Sequence, residues 1–173
     1  MFTLIKKEPT SEPISLDDIK LYCKIQHSEE DDLLSQLLQS ARDCFERHIN
    51  KSLVPKTYLC EVDEYDFDEH NTVELPFYPI KEIVSIKQID DEGNEQTVTS
   101  FKEIGKAKKS IKLDTVLNYT FEIEFTAGYD KCPQGIKLLL QKQILDWYEN
   151  RGNTTLNSQI RKELNKFITD GAF

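Results

Sequence analysis

The densest group of potential metal ligands is an acidic loop at residues 63–71, which reads Asp-Glu-Tyr-Asp-Phe-Asp-Glu-His-Asn. Clustered carboxylates are the ligands that Ca²⁺ prefers, so we compare the loop with an EF-hand. If the EF-hand pattern begins at Asp66, then Asp68 occupies the third position, which is a ligand position. The same register also puts Asn71 where glycine is required and Phe77 where the bidentate glutamate is required. The spacing therefore favours a solvated loop, and no metal site is predicted.

Histidine and cysteine are the other side chains that commonly bind metals or act as nucleophiles. His27, His48 and His70 lie in separate settings, and none has a second ligand at zinc spacing. His48 falls within the apolar stripe of a predicted helix, which favours a packed, hydrogen-bonded side chain over a ligand. The cysteines form no Cys-x-x-Cys pair, so reduced and mostly buried thiols are predicted. They are Cys23, Cys44, Cys60 and Cys132.

The common catalytic motifs are absent from the sequence. It has no glycine-rich phosphate loop, no nucleophile elbow and no His-Glu-x-x-His. Paired carboxylates could serve a metal nuclease or a glycosidase, but no aromatic substrate groove accompanies them. We therefore expect a protein that is not an enzyme and needs no cofactor.

The overall charge argues against a protein that grips nucleic acid. The 173 residues include 22 Lys and Arg against 31 Asp and Glu, which gives a net charge of −9. Binding to a phosphate backbone by counterion release needs cationic side chains. One local basic group is interpreted as a solvated hairpin. Its members are Lys102, Lys106, Lys108, Lys109 and Lys112.

A strand followed by a helix, within residues 119–151, organises the chain. From Tyr119 to Phe125 apolar side chains alternate with polar ones, which is typical of a half-buried strand. Gly128 can supply the turn, and Pro133 favours a helix start.

The helix after Pro133 carries two apolar surfaces. One face is predicted to be core, and it comprises Ile136, Leu139, Leu140, Ile144, Trp147 and Tyr148. Leu138 and Leu145 lie on the opposite side, with Glu149 nearby. This second seam packs either against another layer of the same domain or against another chain.

The remaining patterns complete an α+β fold. It has an N-terminal helix pair and a long C-terminal helix packed together, with an inserted antiparallel β-sheet of hairpins between them. Ser15 and Asp18 form a capping box for the first helix, and Ser28 is the predicted cap of a second that extends to about Asn50. Strands are predicted at 57–62, 72–75, 82–90 and 95–100, and a hairpin joins 108–113 to 119–126.

Three parts are predicted along the chain. Residues 1–14 are expected to form a flexible arm, and residues 15–152 a single domain with helices at about 15–50 and 133–151 and its sheet at about 56–127. Residues 153–173 form a tail with a short amphipathic helix. That helix docks either on its own domain or in a partner's groove.

Four segments, in order over residues 15–152, resemble the head-tail connector (adaptor) proteins of long-tailed bacteriophages and gene transfer agents. Residues 15–34 resemble the family's opening helix pair. Residues 49–58 resemble its helix-to-strand passage, with Asn50-Lys51 in place of the usual Gly-Arg. Residues 75–93 resemble its central hairpin, with Phe77-Tyr78 where Arg-Pro is common. The most recognisable segment comprises Phe125-Thr126-Ala127-Gly128-Tyr129, Pro133, Ile136-Lys137 and Trp147-Tyr148-Glu149-Asn150-Arg151.

The resemblance implies a structural virion component. Such adaptors form a dodecameric ring beneath the portal and extend the DNA channel toward the tail. The implied partners are the portal protein, a head-completion or tail-joint protein, and further copies of this chain. DNA would pass through without specific binding, and no membrane is involved. The implied location is the head-tail joint of the virion, after synthesis in the host bacterial cytoplasm.

Two sets of site residues follow as hypotheses. A ring needs two different faces on each subunit, and Leu138, Leu145 and Glu149 are candidates for one of them. Adaptor tails often engage the portal, so portal-binding residues are expected in the tail. They are Ile160, Arg161, Leu164, Phe167 and Ile168.

Two other classes of function stay open. One is a monomeric α+β protein-binding module of unrelated purpose. The other is an acidic-site nuclease, whose stability or activity would respond to magnesium or manganese.

Overall fold

The computed structural model describes residues 1–106, 108–114, 119–150 and 155–169. Its contacts divide the chain into two units, which we call the β unit and the helical unit. The β unit comprises Met1–Pro9 and Pro55–Tyr129, and the helical unit comprises Thr10–Val54 and Asp130–Phe173. The predicted single domain at 15–152 thus contributes to both. Helices and antiparallel sheets are both present, which confirms the α+β class.

The described residues of the β unit form two antiparallel sheets. Its strands are β1 (Phe2–Lys7), β2 (Lys56–Val62), β3 (Thr72–Glu74), β4 (Ile80–Ile89), β5 (Glu95–Thr97), β6 (Phe101–Ile104), β7 (Ser110–Leu113) and β8 (Thr120–Ala127). The larger sheet has the order β1-β2-β8-β4-β5, and the smaller has the order β3-β7-β6. The predicted sheet of hairpins is therefore two sheets.

Both sheets contribute to one apolar core. Phe121, Ile123 and Phe125 of β8 are fully buried, as their alternation with polar residues predicts. The smaller sheet adds Ile111 and Leu113 to the same cluster. Each sheet therefore has one face on the core and one outer face turned away from it.

The partner of β8 differs from the prediction. The sequence favours a hairpin between 108–113 and 119–126, but β8 pairs with β2 on one side and β4 on the other. The strand β7 pairs instead with β3 and β6. A strand with pairing partners on both edges has all of its backbone hydrogen bonds within the sheet. The alternation of apolar and polar residues predicts which face of the strand is buried, but it does not specify which strands lie beside it.

The N-terminal segment also differs from the predicted flexible arm at residues 1–14. Phe2–Lys7 form β1, an edge strand that pairs with β2 in antiparallel register, with Phe2 opposite Glu61 and Leu4 opposite Leu59. Hydrogen bonds along the free edge of β2 order this segment, although most of its side chains are exposed.

The described residues of the helical unit form five helices. They are α1 (Leu16–Cys23), α2 (Asp31–Ile49), α3 (Gln134–Glu149), α4 (Ser158–Leu164) and α5 (Lys166–Thr169). The first three pack on one another, as the predicted fold requires. The fully buried residues of α2 follow the predicted apolar stripe and include Leu34, Ala41 and Phe45.

The two predicted helix caps have different outcomes. The capping box at Ser15 is confirmed, since the Asp18 N–H donates to Ser15 Oγ at 3.1 Å and the Ser15 N–H donates to Asp18 Oδ2 at 3.2 Å. The predicted cap at Ser28 is wrong. Glu30 is the N-cap of α2 and makes no side-chain capping bond, so the helix starts later than the sequence indicates.

Candidate interaction surfaces

The second seam of α3 is present, but its members occupy different environments. Leu138 is 42% exposed, whereas Leu145 is half-buried. Leu145 and Glu149 line a cavity of about 580 Å³ in the helical unit, and Leu138 does not. The structure thus brings together two of the three predicted interface residues and leaves the third on an open surface.

The cavity has walls from three helices of the helical unit. Its apolar lining includes Leu139 and Leu145 of α3 and Ile160 of α4, and Tyr22 of α1 closes one side. Its charged lining carries both signs, with Lys142, Asp146, Lys162 and Glu163. A mixture of apolar groups and charges of both signs suits contact with protein better than a single ion.

The tail packs on its own unit through buried side chains and hydrogen bonds. Ile160 and Leu164 are buried. The Trp147 indole N–H donates to the Thr155 carbonyl at 2.9 Å, and the Asn157 N–H donates to Gln143 Oε1 at 3.0 Å. These contacts join the tail to α3.

Two further contacts involve Asn165 and Phe167 of the tail. His48 Nε2 of α2 is hydrogen-bonded to Asn165 Oδ1 at 2.7 Å. The predicted hydrogen bond of this histidine is therefore present, although its side chain is half-buried. Phe167 lies against Gly135, where an added Cβ would come within 2.9 Å of Phe167 Cζ. Glycine is therefore the residue that lets the ring approach the first turn of α3.

This docking limits which predicted portal-binding residues are accessible. Arg161 and Ile168 are exposed, whereas Ile160 and Leu164 are buried and Phe167 is half-buried. Binding of the portal by the tail stays a prediction. In the docked tail, Arg161 and Ile168 are the members of the set that a partner can reach most readily.

Gln143 contacts the tail but was not among the predicted site residues. Its side chain is fully buried in α3, and its carbonyl oxygen receives the tail. The signal was available, because Gln143 stands at helical spacing between the core residues Leu140 and Trp147. A buried amide oxygen needs a donor, and the backbone N–H of Asn157 in the returning tail supplies one.

The acidic loop uses carboxylates to stabilise its own backbone. Asp68 Oδ1 accepts hydrogen bonds from the backbone N–H groups of Thr72 and His70, both at 2.9 Å. These bonds hold the pKa of Asp68 below its usual value. Within the described residues, no group of three or more potential ligands is arranged to hold a metal ion.

The cysteines are free thiols with little nucleophilic character. Burial raises the pKa of all four, and it raises that of Cys132 to about 12. With raised pKa values these groups stay protonated at neutral pH, and a thiol must ionise to act as a nucleophile.

In the described part of the chain, no helix is both long and apolar enough to cross a membrane.

We compared the chain with known protein families, curated proteins and solved structures. The family model described as "Head completion protein" matches residues 12–159. No curated protein matches the sequence.

Three similar solved structures come from gene transfer agent (GTA) particles. They are chains from the neck of an empty GTA particle computed with C6 symmetry (TM-score 0.84, 16% identity), the virion of a native GTA particle (0.83, 15%) and the neck of a native GTA particle computed with C12 symmetry (0.80, 15%). Each alignment covers 100% of this chain and 98% of the other. At this identity the similarity establishes the fold. The family model spans most of the chain, and this protein therefore belongs to the Head completion protein family.

Proposed function

We propose that the protein is a structural component of the head-tail joint of a bacteriophage or gene transfer agent. The observation that carries the proposal is the family match over residues 12–159. The shared fold of neck proteins from GTA particles supports it. The protein acts as a connector rather than an enzyme. The protonated thiols and the loop carboxylates engaged with backbone are consistent with that role.

The connector works as a ring. Subunits assemble beneath the portal protein, a head-completion or tail-joint protein binds on the other side, and DNA passes through without specific contacts. The C12 symmetry of a neck that contains a chain of similar fold supports a twelve-fold assembly. Assembly follows synthesis in the host bacterial cytoplasm and leaves the protein in the virion.

The exposed part of the α3 seam is one subunit contact. Leu138 is a large apolar side chain that is 42% exposed, so it is accessible to a neighbouring subunit. Leu145 and Glu149 extend the contact along the cavity. The C-terminal tail contacts the portal through Arg161 and Ile168.

The first experiment is the molar mass by light scattering after size exclusion, over a concentration series, with negative-stain imaging of any large species. Rings of about a dozen subunits support the connector and exclude a monomeric binding module. A monomer that also fails to bind its portal protein and is absent from purified particles would refute the proposal.

The seam is tested by Leu138→Asp. We expect weaker assembly with an unchanged melting temperature, because the side chain is already exposed in the monomer. The matched control is Leu21→Asp on α1, where the leucine is 81% exposed. Equal effects of the two substitutions would show that Leu138 has no particular role in assembly.

The portal contact is tested with Arg161→Glu combined with Ile168→Asp. Pull-down by the portal protein should be lost while the fold, followed by circular dichroism, is retained. Lys131→Glu changes an exposed charge outside the tail and serves as the control. Retained binding by the double variant would remove the tail from the proposal.

A further inference from the structure

Each outer face of the β unit carries a pair of like charges in direct register between neighbouring strands. On the larger sheet, Glu61 of β2 is opposite Glu122 of β8. On the smaller sheet, Lys102 of β6 is opposite Lys112 of β7. Directly opposed like charges destabilise a sheet, so folding of the monomer gains nothing from either pair.

The lysine pair lacks compensation within the described part of the chain. Among the described residues, neither Lys102 nor Lys112 forms an ion pair, although lysines 108 and 109 on the same hairpin bond to Glu74 and Glu103. The other cross-strand neighbour of Lys112 is Thr72, which carries no charge.

The acidic pair has cations nearby, but they bond to other carboxylates. Lys87 is opposite Glu122, yet its ammonium is 2.6 Å from Glu95. Lys6 is 2.6 Å from Glu124 on the same face. Glutamates therefore outnumber lysines there, and Glu61 is exposed.

Exposed apolar side chains accompany both pairs. Phe2, which is 62% exposed, is opposite Glu61 on the acidic face, and Leu4 is opposite Leu59 in the next row of that face. On the basic face, Ile104 is 49% exposed and opposite Ser110. Charge flanked by open apolar surface is the composition of a protein contact rather than of a merely solvated sheet.

We infer that the two faces bind each other between neighbouring copies, with the Lys102–Lys112 face of one subunit on the Glu61–Glu122 face of the next. The inference rests on the proposed ring, which requires two different and complementary faces on every subunit. Opposite charge on two sides of one β unit meets that requirement. It also favours head-to-tail over self-to-self contact, because either face would repel its own copy.

DNA is a less suitable occupant of the basic face. Phosphates would pair with the lysines but would leave the apolar group at Ile104 uncovered and the acidic face without a partner. The net charge of −9 also opposes approach of the chain to nucleic acid.

The test is a charge exchange in the full-length protein. Lys102→Glu with Lys112→Glu, and separately Glu61→Lys with Glu122→Lys, should each weaken self-association at least tenfold in sedimentation velocity. The variant with all four changes should recover most of it. Wild-type association should also weaken as the salt concentration rises from 0.05 to 0.5 M, because salt screens exposed charges. The Debye length is about 10 Å in 0.1 M salt.

Controls separate this interface from loss of fold and from loss of the proposed function. Lys131→Glu should leave association unchanged, and the melting temperature should change little in the double lysine variant, because it replaces one like-charge pair by another. Association that persists in both reversed pairs would overturn the inference, as would a wild-type chain that stays monomeric. If the lysine variants lose only the ability to retain double-stranded DNA, the basic face binds nucleic acid instead of a neighbouring subunit. Portal binding and presence in purified particles report on the proposed function independently of these results.

Discussion

The spare apolar seam of the helical unit and the outer faces of the β unit are both surfaces that the core does not use. Within the helical unit, the tail returns to α3 beside Leu145, where it buries Ile160 and Leu164 and donates a hydrogen bond to Gln143 Oε1, while Leu138 stays exposed. Within the β unit, the described chain leaves two like-charge pairs and exposed Phe2 in place. A surface that the chain covers with its own residues stabilises the monomer. A surface that keeps uncompensated like charges and exposed apolar side chains is a candidate for contact with a neighbouring subunit.

The largest effect is expected from removal of the tail's main buried side chain. Leu164→Ala should lower the free energy of unfolding by about 2–5 kcal/mol, because the leucine is fully buried and the change leaves a cavity. Leu138→Ala is the control on the exposed seam, and its effect should stay within about 0.5 kcal/mol. Urea unfolding measures both. A loss below about 1 kcal/mol for Leu164→Ala would mean that the tail does not depend on this docking.

The second prediction concerns the caps of the helical unit. Ser15→Ala should cost about 1 kcal/mol, because Ser15 Oγ accepts the Asp18 N–H. Ser28→Ala should cost much less, since the N-cap of α2 is Glu30. Urea unfolding at neutral pH compares the two, and equal losses would restore Ser28 as a working cap.

The same cap predicts a pH dependence. Hydrogen bonds from the Ser15 side chain and backbone lower the pKa of Asp18. A carboxyl whose pKa is lower in the folded state stabilises the protein above its unfolded pKa of about 3.9, and this contribution is lost as the pH falls through the folded pKa. Ser15→Ala should therefore raise the pKa of Asp18, measured by NMR titration, and flatten the stability profile below about pH 4. An unchanged titration would assign the shift to the backbone bond alone.

These caps show where local sequence is sufficient and where it is not. The box at Ser15 needs only groups three residues apart, and α3 and β8 follow from periodicity and the turn at Gly128. Ser28 carries the same local signal as Ser15, followed by acidic residues, yet the helix starts at Asp31. Local chemistry lists the possible starts of a helix, and packing selects one.

Long-range pairing was the part that the sequence left undetermined. The alternation in β8 predicts which of its residues are buried but carries no information on its flanking strands, β2 and β4. The edge strand β1 has too few apolar residues in alternation to be distinguished from an arm. Among the candidate surfaces, the seam was visible from helical spacing. The charge pairs were not, because cross-strand register does not exist until the sheets are assembled.

The fourth prediction concerns the contact between Phe167 of the tail and Gly135 of α3. Alanine at position 135 favours a helix over glycine by about 1 kcal/mol, but its Cβ would approach Phe167 Cζ to 2.9 Å. Gly135→Ala should therefore be neutral or destabilising in the wild type, yet stabilise the Phe167→Ala variant by about 0.5–1 kcal/mol. A double-mutant cycle on urea unfolding gives the coupling. Equal effects in the two backgrounds would show that the ring of Phe167 does not rest on this turn.

The smallest expected effect concerns the β unit and has the opposite sign. Lys112→Glu converts a like-charge pair with Lys102 into an attractive one, so the monomer should gain about 0.2–1 kcal/mol in the free energy of unfolding. Lys87→Glu on the larger sheet should instead destabilise it, since Lys87 is bonded to Glu95. Both are measured at low ionic strength and at a concentration where the protein is monomeric. A gain that disappears in 0.5 M salt identifies the cause as Coulombic. Destabilisation by Lys112→Glu would mean that the lysine pair already has a use within the folded monomer, and the contrast between the two units would then fail.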